Sequence, residues 1–251
     1  MKILGLDSSG LVASVAVAED DTLLAEYTVN YKKTHSQTLL PMLDEIARMI
    51  ELDLSSIDAI AVAKGPGSFT GLRIGSATAK GLGLALKKPI IPIPTVDGIA
   101  YNLCGDRDLV CPLMDARRNQ TYTGLYRFDG NQMETLVAQR AVGIEETIDT
   151  VNRYGEAVVF LGDGVPVFRD YIQEHCTVPY RFAPAHLNKQ RAGAVAVLAF
   201  QYYEQGLTET AAEHRPDYLR LSQAERERLE QEQKQQRQKQ QEQQEKCPER
   251  K

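Results

Sequence analysis

Three aspartates, Asp7, Asp115 and Asp163, each close a short apolar run. In folds that alternate strands and helices, strand ends face the ligand crevice, and a carboxylate there can serve a metal, a phosphate or a proton transfer. The same places favour aspartates that merely cap or turn the chain. A second constellation is GPGSFTG at 65–71, which interrupts the apolar run 57–63. Ser68 and Thr70 are N-cap residues for the helix-compatible segment that follows. Strand, glycine turn and helix start together present free N–H groups to an anion. Two phosphate loops fail the spacing. Leu72-Arg73 follows Gly71 where a Walker loop needs Lys-Ser or Lys-Thr. Thr70 stands where a dinucleotide fingerprint begun at Gly65 needs glycine or alanine. A weak anion site and a turn that only docks a helix on a sheet both remain.

Other chemistries find little material. His35, His175, His186 and His214 include no pair at i,i+3 or i,i+4 and no neighbouring cysteine, so no metal is expected. There is no GxSxG, and Ser68 has no local base. Arg117 and Arg118 suit a phosphate or ordinary surface ion pairs. A net charge of −5 argues against autonomous nucleic-acid binding. Four scattered cysteines fit a reducing compartment. The opening MKILGLDSS reads at once as a strand, without a signal segment, so a cytoplasmic protein without membrane spans is expected.

The elements that hold these residues read as strands at 2–6, 11–18 and 22–29, a helix after Ser36 or Thr38, a strand at 57–63, a helix at about 70–86, a strand at 89–94 and a helix to about 103. Pro41 is compatible with its helix only in the first turn. Strands at 109–114, 120–128 and 133–140, a helix at 143–153, a strand at 157–161 and helices at 165–174 and 188–204 repeat that order. The repeat implies two similar α/β units: 1–104 and 105–222. From Gln223 to residue 251, Gln, Glu, Lys and Arg dominate, which implies a disordered or solvated tail.

Two helices carry more apolar surface than one sheet needs. Leu39, Leu43, Ile46 and Ile50 make one stripe and Met42 and Met49 widen it. From 70 to 86 the only charges are Arg73 and Lys80, and Gly71, Gly75, Ala79 and Gly83 form a ridge of small residues where another backbone can come close. An all-apolar helix is covered on more than one side, by this chain or by another.

MKILGLDSS at 1–9, THSQTLLPML at 34–43, GPGSFTGLRIG at 65–75, DARRNQTY at 115–122 and PDYLRLSQAER at 216–226 together resemble the TsaB (YeaZ) family. The resemblance spans residues 1 to about 226. It implies the duplicated ASKHA fold of actin, sugar kinases and heat-shock chaperones, with two α/β domains around a cleft. It also implies a noncatalytic subunit without a cofactor. Its partners would be the catalytic, metal-binding paralogue TsaD and the ATPase TsaE, with tRNA met through the complex. The product would be N6-threonylcarbamoyladenosine beside the anticodon of tRNAs that read A-starting codons.

In the catalytic paralogue, metal-binding histidines follow the strand equivalent to 89–94; here Thr95-Val96-Asp97-Gly98-Ile99 stands there. Asp7-Ser8-Ser9 also lacks the glycine two residues after the aspartate found in nucleotide-binding members. Asp7, Ser8, Ser9, Gly65, Gly67, Ser68 and Thr70 are thus expected to form a vestigial nucleotide site. Leu39, Met42, Leu43, Ile46, Ile50, Gly71, Leu72, Gly75, Ala79, Leu82 and Leu86 are expected at the interface, which in the family is a four-helix bundle. Through it the chain would dock TsaD, or a second copy when TsaD is absent. On this expectation Ala79→Glu or Leu43→Glu breaks the complex and spares the fold. The competing readings are a kinase-like enzyme using Asp7, Ser9, Ser68 and Thr70, and a peptidase.

Overall fold

The computed structural model describes residues 1–31 and 35–219. Five strands, β1 (Lys2–Asp7), β2 (Ala13–Glu19), β3 (Thr22–Val29), β4 (Ala59–Gly65) and β5 (Ile90–Pro94), form one sheet in the order β3-β2-β1-β4-β5. β1 pairs antiparallel with β2 and parallel with β4, Gly5 facing Ala16 and Ala61. A second sheet has β6 (Leu109–Asp115), β7 (Gln120–Asp129), β8 (Gln132–Gly143), β9 (Val158–Leu161) and β10 (Tyr180–Phe182), in the order β10-β9-β6-β7-β8. Numbered within each half, the two orders are the same. The repeat legible in the sequence is therefore a repeat of topology, as the resemblance implies for a duplicated fold. The three-residue β10 is an addition that the sequence did not signal.

The helices follow from the same repeat. α1 (His35–Met49) and α2 (Phe69–Leu86) cover one face of the first sheet, with Leu39, Met42, Leu43, Ile46 and Ala79 packed on Leu4, Leu6, Val15, Ile60 and Val62. α4 (Ile144–Tyr154) and α5 (Val165–His175) cover the matching face of the second. α3 (Thr95–Ala100) and α6 (Ala192–Glu204) lie in a third apolar cluster that draws on both sheets, from Ile3, Ala61 and Ile91 to Val110, Met114, Tyr126 and Val159. α6 comes late in the chain, yet Glu26 of β3 pairs with Arg191 and accepts the Gly193 N–H at 3.0 Å, so the first sheet caps its N-terminus. After residue 191 the packing thus leaves the division at 104/105 and returns to the first half.

Pro41 differs from expectation. α1 begins at His35, which puts Pro41 beyond the first turn. Its ring removes one helical N–H donor, and Gln37 and Pro41 both lie on the exposed side of the helix. Residues 207–219 form a strap without regular structure. Glu209 bridges to Ile90, and the Asp217 N–H donates to the Lys64 carbonyl at 2.7 Å. The tail expected from 223 to 251 lies outside the described residues.

Candidate functional site

The seven residues of the expected nucleotide site come together where β1 and β4 end. Asp7 is buried, and one of its oxygens accepts the Ser9 N–H at 2.8 Å and the Ser9 hydroxyl at 2.7 Å. Ser8 Oγ donates to the Gly71 carbonyl at 2.9 Å. The Ser9 carbonyl accepts the Ser68 N–H at 2.6 Å, and Ser68 Oγ caps α2 by accepting the Gly71 N–H at 3.3 Å. A Cβ at Gly67 would collide with the Ser9 carbonyl. Gly65, at φ +127°, donates to Thr95 Oγ1 at 3.2 Å and accepts from Gln139 Nε2 at 3.3 Å. Thr70 is exposed at the rim. The donors that an incoming phosphate would need at Ser68 and Gly71 are held by this chain's own oxygens. The geometry is that of a turn docking a helix onto a sheet.

Burial, opposed by the Ser9 bonds, raises the Asp7 pKa from its ordinary 3.8 to about 6. The folded state therefore holds a proton that the unfolded state has released between pH ~4 and ~6, and stability falls as pH rises through that window. Above it the desolvated carboxylate costs about 3 kcal/mol. Asp7→Asn, which keeps an acceptor for Ser9, is expected to flatten this part of the stability–pH curve and to raise stability at pH 7 by about 1–3 kcal/mol. Urea denaturation at pH 4.5 and 7.5 checks it.

At the second sheet, the Asp115 N–H donates to Asp163 Oδ1 at 3.2 Å, so two of the three strand-end aspartates are neighbours. Burial raises the Asp163 pKa; the Asp115 N–H opposes the shift and the Asp115 charge adds to it. Arg117, Arg118 and Asn119, between β6 and β7, have φ of 63°, 57° and 58°. Three consecutive left-handed non-glycine residues cost roughly 1–2 kcal/mol each. The Arg117 guanidinium pairs with Asp115 at 3.2 Å.

The place where the resemblance puts the paralogue's metal-binding histidines is α3. Asp97 is buried there and accepts the hydroxyls of Tyr126 at 2.6 Å and Tyr202 at 2.7 Å. Its carboxylate ties α3 to β7 and α6. Sequence reasoning missed this network, because 29 and 105 residues separate the partners and no periodicity marks them. Among the described residues no three His, Cys, Asp or Glu side chains come close enough to hold a metal.

Most of the residues expected at the interface are buried within this chain. Leu39, Met42, Leu43 and Ile46 of α1, and Leu72 and Ala79 of α2, are buried in this chain. Gly71 and Gly75 are buried too, against Ser8, whose carbonyl a Cβ at Gly71 would strike and whose hydroxyl would lie 2.5 Å from one at Gly75. The ridge of small residues does admit a close backbone, and that backbone is β1's own turn. Ala79→Glu and Leu43→Glu would therefore attack the core and not a free surface. Ile50 and Leu82 are half-buried against the same cluster, and Leu86 is half-buried.

The strap takes another side of α2. Arg73 lies over the Phe69 ring at 3.9 Å and donates to the Tyr218 hydroxyl at 3.2 Å. Lys80 donates to the carbonyls of Ala212 and His214 at 3.4 and 3.0 Å. Both charges thus serve the chain itself. What remains outward on α2 is Thr70, Ala77, Gly81, Leu84 and Ala85, whereas α1 exposes Leu40, Pro41 and Met49 among Ser36, Gln37, Asp44 and Arg48. Leu84 is 65% exposed, Leu40 53% and Met49 73%. Ala77, Gly81 and Ala85 form a second small ridge at i+4 spacing, and around Gly81 nothing lies within 4 Å of an added Cβ.

Residues 22–228 match the family model described as TsaD, tRNA N6-adenosine threonylcarbamoyltransferase. The tRNA threonylcarbamoyladenosine biosynthesis protein TsaB of Bacillus subtilis is 32% identical over 227 residues, covering 90% of this chain and 96% of that protein. Its namesake in Escherichia coli is 29% identical over 226 residues, covering 88% and 95%. The solved structure of YeaZ from Pseudomonas aeruginosa superposes with a TM-score of 0.72 at 24% identity, covering 86% of this chain and 99% of that one, and so shares the fold.

Proposed function

The chain belongs to the TsaB family of tRNA threonylcarbamoyladenosine biosynthesis proteins, and from that premise we propose that it is a noncatalytic docking subunit whose outward α2 side binds the catalytic paralogue TsaD. Its place in tRNA threonylcarbamoyladenosine biosynthesis follows from the family. The observation that carries the docking role is the outward side of α2, where Leu84 stands in solvent beside a ridge of alanines and a glycine. A large exposed apolar side chain beside a path for close helix approach suits a helical partner. The noncatalytic reading is supported by the self-satisfied turn at Ser9, Ser68 and Gly71 and by an Asp97 carboxylate held by two tyrosines.

In this reading the two halves, 1–104 and 105–222, are the duplicated units of the fold, with α6 of the second half packed back on the first sheet. The ATPase TsaE and the tRNA join at the level of the complex, in the cytoplasm. The same side of α2 pairs two copies of this chain when TsaD is absent. Among the described residues no helix is long and apolar enough to cross a membrane.

Reconstitution tests the proposal. Catalytic paralogue, ATPase, tRNA and threonylcarbamoyl donor are combined with and without this chain, and modified adenosine is counted. The expected result is stoichiometric incorporation of the chain and modification that depends on it. An unchanged rate without it would overturn the reading, as would transfer by this chain alone.

A further inference from the structure

We propose that Arg118, at the tip of the turn between β6 and β7, contacts a backbone phosphate of the tRNA held by the complex; this rests on the reading of the chain as part of a tRNA-modifying assembly. The turn is fixed on all sides but one. The Arg117 N–H donates to Asp115 Oδ1 at 2.8 Å, the Ala116 N–H to the Gln120 carbonyl at 3.0 Å and the Gln120 N–H to the Arg117 carbonyl at 3.2 Å. Asn119 Nδ2 donates to Glu145 Oε1 at 2.8 Å, and the Arg117 guanidinium folds back on Asp115. Arg118 sits between these two anchored residues, in the middle of the left-handed run, exposed. Among the described residues its guanidinium meets no hydrogen-bond or ion-pair partner.

Elsewhere in this acidic chain Arg127, Arg140, Arg181 and Arg191 each hold a carboxylate; Arg107 and Arg215 are exposed without one, but neither sits in a left-handed run between anchored residues. A strained turn that braces its neighbours and leaves one guanidinium in water holds a cation ready for a partner from outside. The guanidinium fork matches phosphate oxygens. Asn119 and Gln120 give the tip a polar surround, without the apolar patch that the core of a protein interface requires. A phosphate backbone offers charge without needing a pocket, and such contacts position a nucleic acid regardless of sequence. With a net charge of −5 the lone chain gains little from one such contact, so the effect belongs to the assembled complex.

The test is the salt dependence of tRNA affinity for the complex reconstituted with wild-type chain, Arg118→Ala or Arg118→Lys. Arg118→Ala is expected to weaken binding several-fold at low salt and to lower the slope of log affinity against log salt by about one. Arg118→Lys, which keeps the charge, retains the slope. Equal melting temperatures and equal incorporation of all three chains locate the effect at the tRNA. An unchanged slope in Arg118→Ala overturns the inference. So does weakened assembly of the proteins, which would make the contact a protein carboxylate. Failure of the wild-type chains to assemble would instead refute the reading beneath it.

Discussion

Leu84→Glu is expected to abolish co-purification with the catalytic paralogue while shifting the melting temperature of the isolated chain by no more than about 2 °C. Leu84 is 65% exposed on the outer side of α2, so the free chain hydrates the new carboxylate at little cost. In a helix–helix interface the same carboxylate is desolvated without a partner, a loss of at least about 3 kcal/mol and so more than 100-fold in affinity. Ala79→Glu serves as the contrast. Ala79 is fully buried beneath α2, and a charge there is expected to leave no soluble folded chain. If Leu84→Glu still co-purifies at wild-type yield, the outward side of α2 is not the docking surface.

Two glycines of one helix are expected to respond to alanine with opposite signs. Helix propensity alone favours alanine by about 1 kcal/mol at either position. At Gly81 nothing lies within 4 Å of the added Cβ, so Gly81→Ala should stabilise the isolated chain by roughly 0.5–1 kcal/mol. At Gly71 the Cβ would strike the Ser8 carbonyl, a backbone atom held in the turn that also carries Asp7. Gly71→Ala should therefore lose about 2–3 kcal/mol net, since β1 and α2 must separate to admit it. Urea denaturation of the two variants reads both signs. Gly81→Ala carries a second consequence: in the complex it widens the closest path between α2 and a partner helix, so it should weaken docking while strengthening the free chain. Stabilisation by Gly71→Ala would contradict the packing described for the β1 turn.

These contrasts show where the sequence was legible. Strand, turn and helix order could be read because the apolar runs are short and the breaks explicit, as at Gly65-Pro66-Gly67, and the repeat followed from that order. The three residues of β10 were too few to show a pattern. The existence of excess apolar surface on α1 and α2 was legible, but its direction was not. From 70 to 86 only Arg73 and Lys80 carry charge, so no polar face marks the outside. Both of those charges turn out to be tied to the strap at 212–218, whose irregular sequence has no period to read. The same pattern that suggested a partner for Gly71, Gly75 and Ala79 was thus satisfied within the chain, and the free ridge lies one face over, at Ala77, Gly81 and Ala85. The strand-end aspartates could be found as candidates, but their neighbours could not. Asp7 meets Ser9 locally, whereas Asp97 meets tyrosines that only the fold brings close.

The central claim is that the outer side of α2 is covered by another protein. Thiol labelling of Leu84→Cys, mapped by peptide mass, tests it, with Val167→Cys on α5, 58% exposed, as the internal control. Both thiols should react rapidly in the free chain. On addition of the catalytic paralogue, protection at position 84 with undiminished labelling at 167 is the predicted result. Equal labelling at 84 with and without the partner, in a mixture that has assembled, would contradict the account.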